Sequence, residues 1–263
     1  MSKISISNIA WSGDLDTRIY QVMKEYGLSG LEIAPTRVFQ KEPYDKLIEA
    51  GAWAGKLKKQ YGFIIPSMQS IWFGRQERLF GTEEERRELV NYTKKAIDFA
   101  MVIKCDNLVF GCPVNRTIPD GADPAVGIQF FKEVGDYAYA KGTVIGIEAN
   151  PPIYNTNYIN DTTAAFDLIE QVDSKGFRLN FDFGTLLWNE ESIDELRGRV
   201  SYINHVHISE PGLRPIKKRG LHGKLKELLD AEGYSGFVSI EMSQNSDTSI
   251  IEDVLKYVRE VFG

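Results

Sequence analysis

The sequence predicts an α/β fold, a single (β/α)8 TIM barrel that takes in residues 1–263 as one domain. Three observations predict it. A strand-like apolar run followed by a helix-like run recurs eight times, with successive strand starts 25 to 44 residues apart and no segment left over. The length, 263 residues, suits one α/β barrel. Four runs in the second half carry an acid or an imidazole inside or at the end of the strand, and barrel chemistry gathers at strand C-termini. The other fold built by strict alternation, an open dinucleotide-binding sheet, is disfavoured because the first strand runs into Trp11-Ser-Gly13-Asp14 and not into Gly-x-Gly-x-x-Gly.

The expected strands are 4–10, 31–34, 63–67, 107–111, 143–149, 178–182, 203–208 and 237–242. A helix over 17–26 stops at Gly27 and one over 46–61 at Gly62, because glycine readily takes the left-handed conformation that ends a helix. Thr82-Glu-Glu-Glu85 is a capping box that opens a helix to about Ile103, with Leu89, Ala96, Ile97 and Ala100 on one face. The helix over 124–141 stops at Gly142. Asp161-Thr162 starts the next, whose Ala165, Phe166, Leu168 and Ile169 can pack on the sheet. Helices over 192–199, 221–232 (stopping at Gly233) and 248–261 complete the alternation.

Lys and Arg number 31 against 37 Asp and Glu, a net charge of −6 with no basic tract, which leaves nonspecific nucleic-acid binding without an electrostatic footing. Arg214, Lys217, Lys218 and Arg219 make one basic spot, read as a solvated loop. Cys105 and Cys112 are too few for a disulfide framework, lie outside any Cys-x-x-Cys, and read as small buried apolar residues. With no signal-peptide apolar region and no run of about 18 apolar residues, the expectation is a cytoplasmic protein with no membrane segment.

Ile145-Gly-Ile-Glu148-Ala-Asn150, Leu179-Asn-Phe-Asp182-Phe-Gly184, Ile203-Asn-His-Val-His207-Ile-Ser-Glu210 and Phe237-Val-Ser-Ile-Glu241-Met each put a costly side chain in an apolar strand. The intervals of 34, 25 and 34 residues each fit a strand, a crossover helix and a return, so four consecutive strands would present Glu148, Asp182, His207 and Glu241 at one edge. One divalent cation would pair with all four; three carboxylates and an imidazole suit Mn²⁺ first, then Mg²⁺, Co²⁺ or Zn²⁺. The competing reading is four separately satisfied polar residues.

At the same rim, Trp11, Trp72 and Trp188 follow the first, third and sixth strands, placed either to stack on a sugar or to cap the core. Glu32, Ser67, Gln69 and Asn150 are candidates for hydrogen bonds to hydroxyl groups, Glu32 equally for a paired structural acid. Arg116 and Arg214 are the candidates for an anionic substrate end. His205, nearer the start of its strand than His207, reads as a core histidine, and His222 as a rim or solvent-facing one.

Taken together, Ile-Glu148-Ala-Asn-Pro, Phe-Asp182-Phe-Gly, His-Val-His207-Ile-Ser-Glu and Ser-Ile-Glu241 resemble the xylose isomerase-like TIM barrels, in particular their sugar isomerase/epimerase branch of ketose 3-epimerases, hydroxypyruvate isomerases and inosose dehydratases. The resemblance implies that Glu148, Asp182, His207 and Glu241 hold the divalent ion, that Glu148 and Glu241 are the acid/base pair, and that Arg214 contacts substrate. It also implies a small-molecule carbohydrate partner and a homodimer paired through rim loops. One departure stands out: many relatives carry a histidine where this chain has Thr185. The endonuclease branch, with its histidine-rich multi-zinc site, does not fit a chain with 3 histidines. The expected function is a metal-dependent sugar isomerase or epimerase acting on a ketose or related polyol, phosphorylated or not, through an enediolate. The alternatives are a dehydratase of the inosose dehydratase type and a catalytically silent sugar-binding barrel.

Overall fold

In the computed structural model, which describes residues 3–263, eight parallel strands form one sheet. They are β1 (Lys3–Ser7), β2 (Gly30–Glu32), β3 (Ser67–Met68), β4 (Asn107–Phe110), β5 (Val144–Ile147), β6 (Phe177–Asp182), β7 (Ile203–Ile208) and β8 (Phe237–Ile240), in the order β2-β1-β8-β7-β6-β5-β4-β3. The end strands meet across a seam: Gly30 bridges Ile64 and Ile33 bridges Met68, with Leu31 N donating to Ile64 O at 2.9 Å and Gln69 N to Ile33 O at 2.8 Å. The result is a nearly closed TIM barrel, as the sequence predicts. Pro66 lacks an N–H for the ladder, which accounts for the short β3 where a strand over 63–67 is expected.

The helices are α1 (Asp16–Glu25), α2 (Pro35–Val38), α3 (Leu47–Tyr61), α4 (Glu83–Ile103), α5 (Ala125–Ala140), α6 (Thr162–Val172), α7 (Phe183–Asn189), α8 (Gly220–Ala231) and α9 (Thr248–Phe262). Thr82 and Glu85 form the expected capping box, and Leu89, Ala96, Ile97 and Ala100 are buried. Gly27, Gly62, Gly142 and Gly233 all have φ between 70° and 81°. The expected helix over 192–199 is only a 3-10 turn, Ile193–Leu196. The crossover from β6 is made instead by α7, which starts at once because the Asp182 carboxylate accepts from Thr185 N at 2.6 Å and caps it. Strand β1 ends at Ser7, short of the expected residue 10, where buried Asn8 turns across the rim to accept from Ala34 N at 2.8 Å.

An apolar shell lies between the sheet and its helices, whereas the lumen is polar. Ser7, Glu32, Ser67, Asn107, Asn180, His205, His207 and Ser239 are all buried. Within the lumen Asn107 Nδ2 donates to Ser67 Oγ on the adjacent strand at 3.0 Å, Gln69 Nε2 to Ser7 Oγ at 2.9 Å, and Asn180 Nδ2 to Glu148 Oε1 at 2.8 Å. Buried polar groups must be paired in this way to be tolerated. Gly146 makes room for them: a Cβ there would stand 2.6 Å from Asn107 Oδ1.

Candidate metal and substrate site

Sequence position puts each of the four charged residues at the top of its strand. Asp182 is the last residue of β6 and pairs in register with His207 of β7, while Glu148 and Glu241 are the first residues beyond β5 and β8. One ligand atom from each of Glu148, Asp182, His207 and Glu241 can be chosen so that all four lie within 4.8 Å of one another. The imidazole sets the centre: His207 Nδ1 is 3.0 Å from Glu148 Oε1 and 3.2 Å from Glu241 Oε2. Its other nitrogen, Nε2, is 2.9 Å from Glu32 Oε2. With Nε2 carrying the proton toward Glu32, the Nδ1 lone pair faces the carboxylates, which is how a carboxylate orients a metal-ligating histidine.

Each carboxylate is further fixed. Glu148 accepts from Asn180 Nδ2 at 2.8 Å and from Asn150 Nδ2 at 3.0 Å. Asp182 accepts from Thr185 N and from the Ser209 hydroxyl, and Ser209 Oγ in turn accepts from Gly184 N at 2.8 Å. Burial, and then the charges of Glu148 and Glu241, push the Asp182 carboxyl up to about 7. Burial likewise raises Glu241. Burial disfavours charge on His207, but Glu32 and Glu241 outweigh it and raise the imidazole well above its usual value. Burial would also raise Glu32, yet His207 and His205 hold it well below the carboxylate range. Acids crowded to this degree lack a counter-charge that one divalent cation supplies, and a set of carboxylate oxygens with one imidazole nitrogen fits such an ion.

Glu148, Asp182 and Glu241 floor a cavity of about 160 Å³ walled by Gln69, Ser70, Gly111, Cys112, Asn150, Tyr154 and Leu213. Among the described residues no lysine or arginine lines it. Of the residues the sequence nominates, Gln69 and Asn150 stand in the wall. Several others do not. Glu32 is fully buried, with His205 Nε2 3.1 Å and His207 Nε2 2.9 Å from one oxygen and Gln69 Nε2 3.2 Å from the other, so it faces the lumen. Arg116 is 0% exposed; its guanidinium donates to Phe110 O, Asn150 Oδ1 and Ile159 O at 3.2, 3.0 and 3.3 Å, and burial lowers its pKa to about 10. It is turned to the protein and not to an anionic ligand. Trp72 is buried against Phe110 and Phe130 with its indole N–H on Thr93 Oγ1 at 2.8 Å, and Trp11 is buried with its indole N–H on Asp16 at 2.8 Å. Both cap the core. Trp188 and Arg214 are exposed and outside the cavity wall, Arg214 following the lining residue Leu213. His222 is buried, not at the rim or in solvent; its Nδ1 meets Tyr257 Oη at 2.8 Å and burial lowers its pKa to about 4.

Asn180, Ser209 and Tyr154 escaped the sequence reading. Asn180 and Ser209 lie two residues from Asp182 and His207, so alternation puts each on its neighbour's face and could have found them. Tyr154 ends a 3-10 turn, Pro152–Tyr154, and accepts from Gly212 N at 3.0 Å, a contact no periodicity announces.

The sequence matches the family described as xylose isomerase-like TIM barrel over residues 20–261. Among curated proteins, none matches it significantly. Similar solved structures include the 3-keto-D-glucoside 4-epimerase YcjR of E. coli, 18% identical with a TM-score of 0.78 over 99% of this chain and 100% of that one. D-psicose 3-epimerase of Clostridium cellulolyticum H10, solved with D-tagatose, is 18% identical with a TM-score of 0.80 over 99% of each chain. A putative sugar phosphate isomerase/epimerase of Anabaena variabilis is 20% identical with a TM-score of 0.71 over 97% of this chain and 88% of that one. At these identities the likeness is one of fold.

Proposed function

Since the chain belongs to the xylose isomerase-like TIM barrel family, we propose that it is a divalent-metal-dependent sugar isomerase or epimerase acting on a ketose or related polyol. The observation that carries this reading is the gathering of Glu148, Asp182, His207 and Glu241, the three carboxylates lining one cavity and the buried imidazole beneath them. The activities of YcjR, a 3-keto-D-glucoside 4-epimerase, and of the Clostridium D-psicose 3-epimerase support it. Oxygen-rich ligation favours Mn²⁺ or Mg²⁺ over Zn²⁺. A bound divalent ion supplies Lewis acidity toward a carbonyl and the hydroxyl beside it.

The chain's own residues do the rest. Glu148 and Glu241 follow strands β5 and β8, which are separated by two others, β6 and β7, and each carboxylate reaches His207 Nδ1, at 3.0 and 3.2 Å. One carboxylate takes the proton next to the carbonyl and leaves an enediolate; the other, protonated, returns a proton to the opposite face. Asn180 and Asn150 hold Glu148, whereas Glu241 is tied only to His207 among the hydrogen-bond and ion-pair partners of the described residues, so Glu148 is the more rigid of the two.

Proton NMR in D2O tests the reading, with Mn²⁺ added to a panel of free ketohexoses and ketopentoses. The expected outcome is metal-dependent deuterium incorporation beside the carbonyl, reduced about 100-fold or more in Glu148→Gln and Glu241→Gln. Wild-type protein that incorporates no deuterium into any ketose, or does so unaffected by chelator, would overturn it.

A further inference from the structure

A second depression opens at the same rim, among the loops after β1, β2, β3 and β8. It is about 550 Å³, and Ser70 lines both it and the carboxylate cavity. The carboxylate cavity, about 160 Å³, falls below the roughly 300–1,000 Å³ typical of sites for larger ligands. It has room for one sugar ring. The outer trough has room for another group joined to it over Ser70.

The chemistry of the trough is specific. Ser12, Thr36, Gln40 and Gln244 offer neutral donors and acceptors, and no carboxylate lines it among the described residues. Arg37, its single cation among the described residues, is already matched: Nη2 is 2.6 Å from Asp16 Oδ1, Nη1 3.3 Å from Asp16 Oδ2, and Nη2 also donates to Trp11 O at 3.3 Å. A phosphate finds no free charge there. The Phe73 ring, 69% exposed, borders the trough. An aromatic face beside neutral amides and hydroxyls suits a sugar, whose C–H face packs on the ring while its hydroxyls bond the polar groups.

We propose that this trough is a subsite for a neutral glycosyl group carried by the ketose in the carboxylate cavity, so that the preferred substrate is a glycosylated ketose. The proposal rests on the reading of that cavity as a ketose site. The probes are D-fructose, isomaltulose (glucosyl on O6), lactulose (galactosyl on O4) and D-fructose 6-phosphate. Two readouts are taken in parallel: deuterium incorporation with Mn²⁺, and saturation transfer from protein to the glycosyl protons.

The expected result is that kcat/KM for at least one disaccharide exceeds that for D-fructose by about tenfold or more, the worth of one good aromatic contact. Phe73→Ala, an exposed substitution that leaves the fold intact, removes that preference through KM, abolishes saturation of the glycosyl protons and leaves D-fructose within about twofold. Equal treatment of D-fructose and both disaccharides overturns the subsite, as does a preference for D-fructose 6-phosphate or an inert Phe73→Ala. If light scattering shows a dimer that Phe73→Ala splits, with no disaccharide preference, the trough is an interface between copies and the proposal fails. If no ketose exchanges deuterium while the glycosyl protons still saturate in a Phe73-dependent way, the isomerase reading falls and the subsite stands.

Discussion

Glu32 is sealed from solvent, yet it lies 2.9 Å from the histidine nitrogen opposite the carboxylate cluster. Replacing it with glutamine removes the charge that holds the proton on His207 Nε2. Mn²⁺ affinity, read by titration calorimetry, should then drop about 10- to 100-fold. An unchanged affinity would mean that packing alone orients the ring. Arg116 acts further back: Arg116→Met leaves buried Asn150 Oδ1 without its donor and takes one of two donors from the Phe110 and Ile159 carbonyls, which keep the backbone N–H groups of Glu148 and Asn150. A loss of about 1–3 kcal/mol in a denaturant titration is expected. The clustering of the four nominated ligands was legible because an acid or imidazole in an apolar strand demands a partner. The directions of Glu32 and Arg116 were not, since polarity states that a partner is needed and not which one. Trp72 and Trp11 show the same limit, their rim positions being right and their indoles turned to the core.

Secondary elements were legible where a local signal decides them. The capping box at Thr82 is one, and Thr82→Ala should cost about 0.5–2 kcal/mol by thermal melting. Elements set by the site itself were not. Helix α7 begins at Asp182 because a residue nominated as a metal ligand also caps it. Glycine at position 184 belongs to the same junction, since a Cβ there would stand 2.6 Å from Ser209 Oγ, the hydroxyl that Asp182 accepts from. Gly184→Ala should therefore weaken Mn²⁺ binding while α7 persists, detectable as a lower calorimetric affinity with unchanged circular dichroism. The short β3 had a readable cause in Pro66; the early end of β1 did not, for it depends on Asn8 reaching Ala34 across the rim.

At the scale of the whole molecule, the carboxylate cluster links stability to pH and to metal. Between the ordinary carboxylate value and about 7, native Asp182 holds a proton that the unfolded chain has lost. Stability therefore falls as pH rises through that window. Glu241, raised likewise, acts in the same direction, and the raised His207 adds stability at low pH that is lost as pH climbs through its folded value. Glu32, lowered, works the opposite way only when pH falls below its ordinary value. Buried His205 and His222, both lowered, act in the opposite direction below the ordinary histidine value, so the cluster's share is read by difference: between pH 5 and pH 7 chelated wild type should lose more melting temperature, or gain less, than chelated Asp182→Asn, and Mn²⁺ should raise the wild-type melting point with proton release. The same profile in chelated wild type and Asp182→Asn would show that the acids are neutralised by other means. No helix of the described residues is long and apolar enough to cross a membrane. The eightfold alternation was readable from end to end, whereas the seam between β2 and β3 depends on pairings that no local pattern announces. All four nominated ligands descend from β5 to β8, while the outer trough, apart from Gln244, and part of the cavity wall are furnished by loops after β1 to β4. Under the proposed function, diversification can proceed largely in one half of the gene while the other keeps the reaction, and a lineage can change its diet without relearning its chemistry.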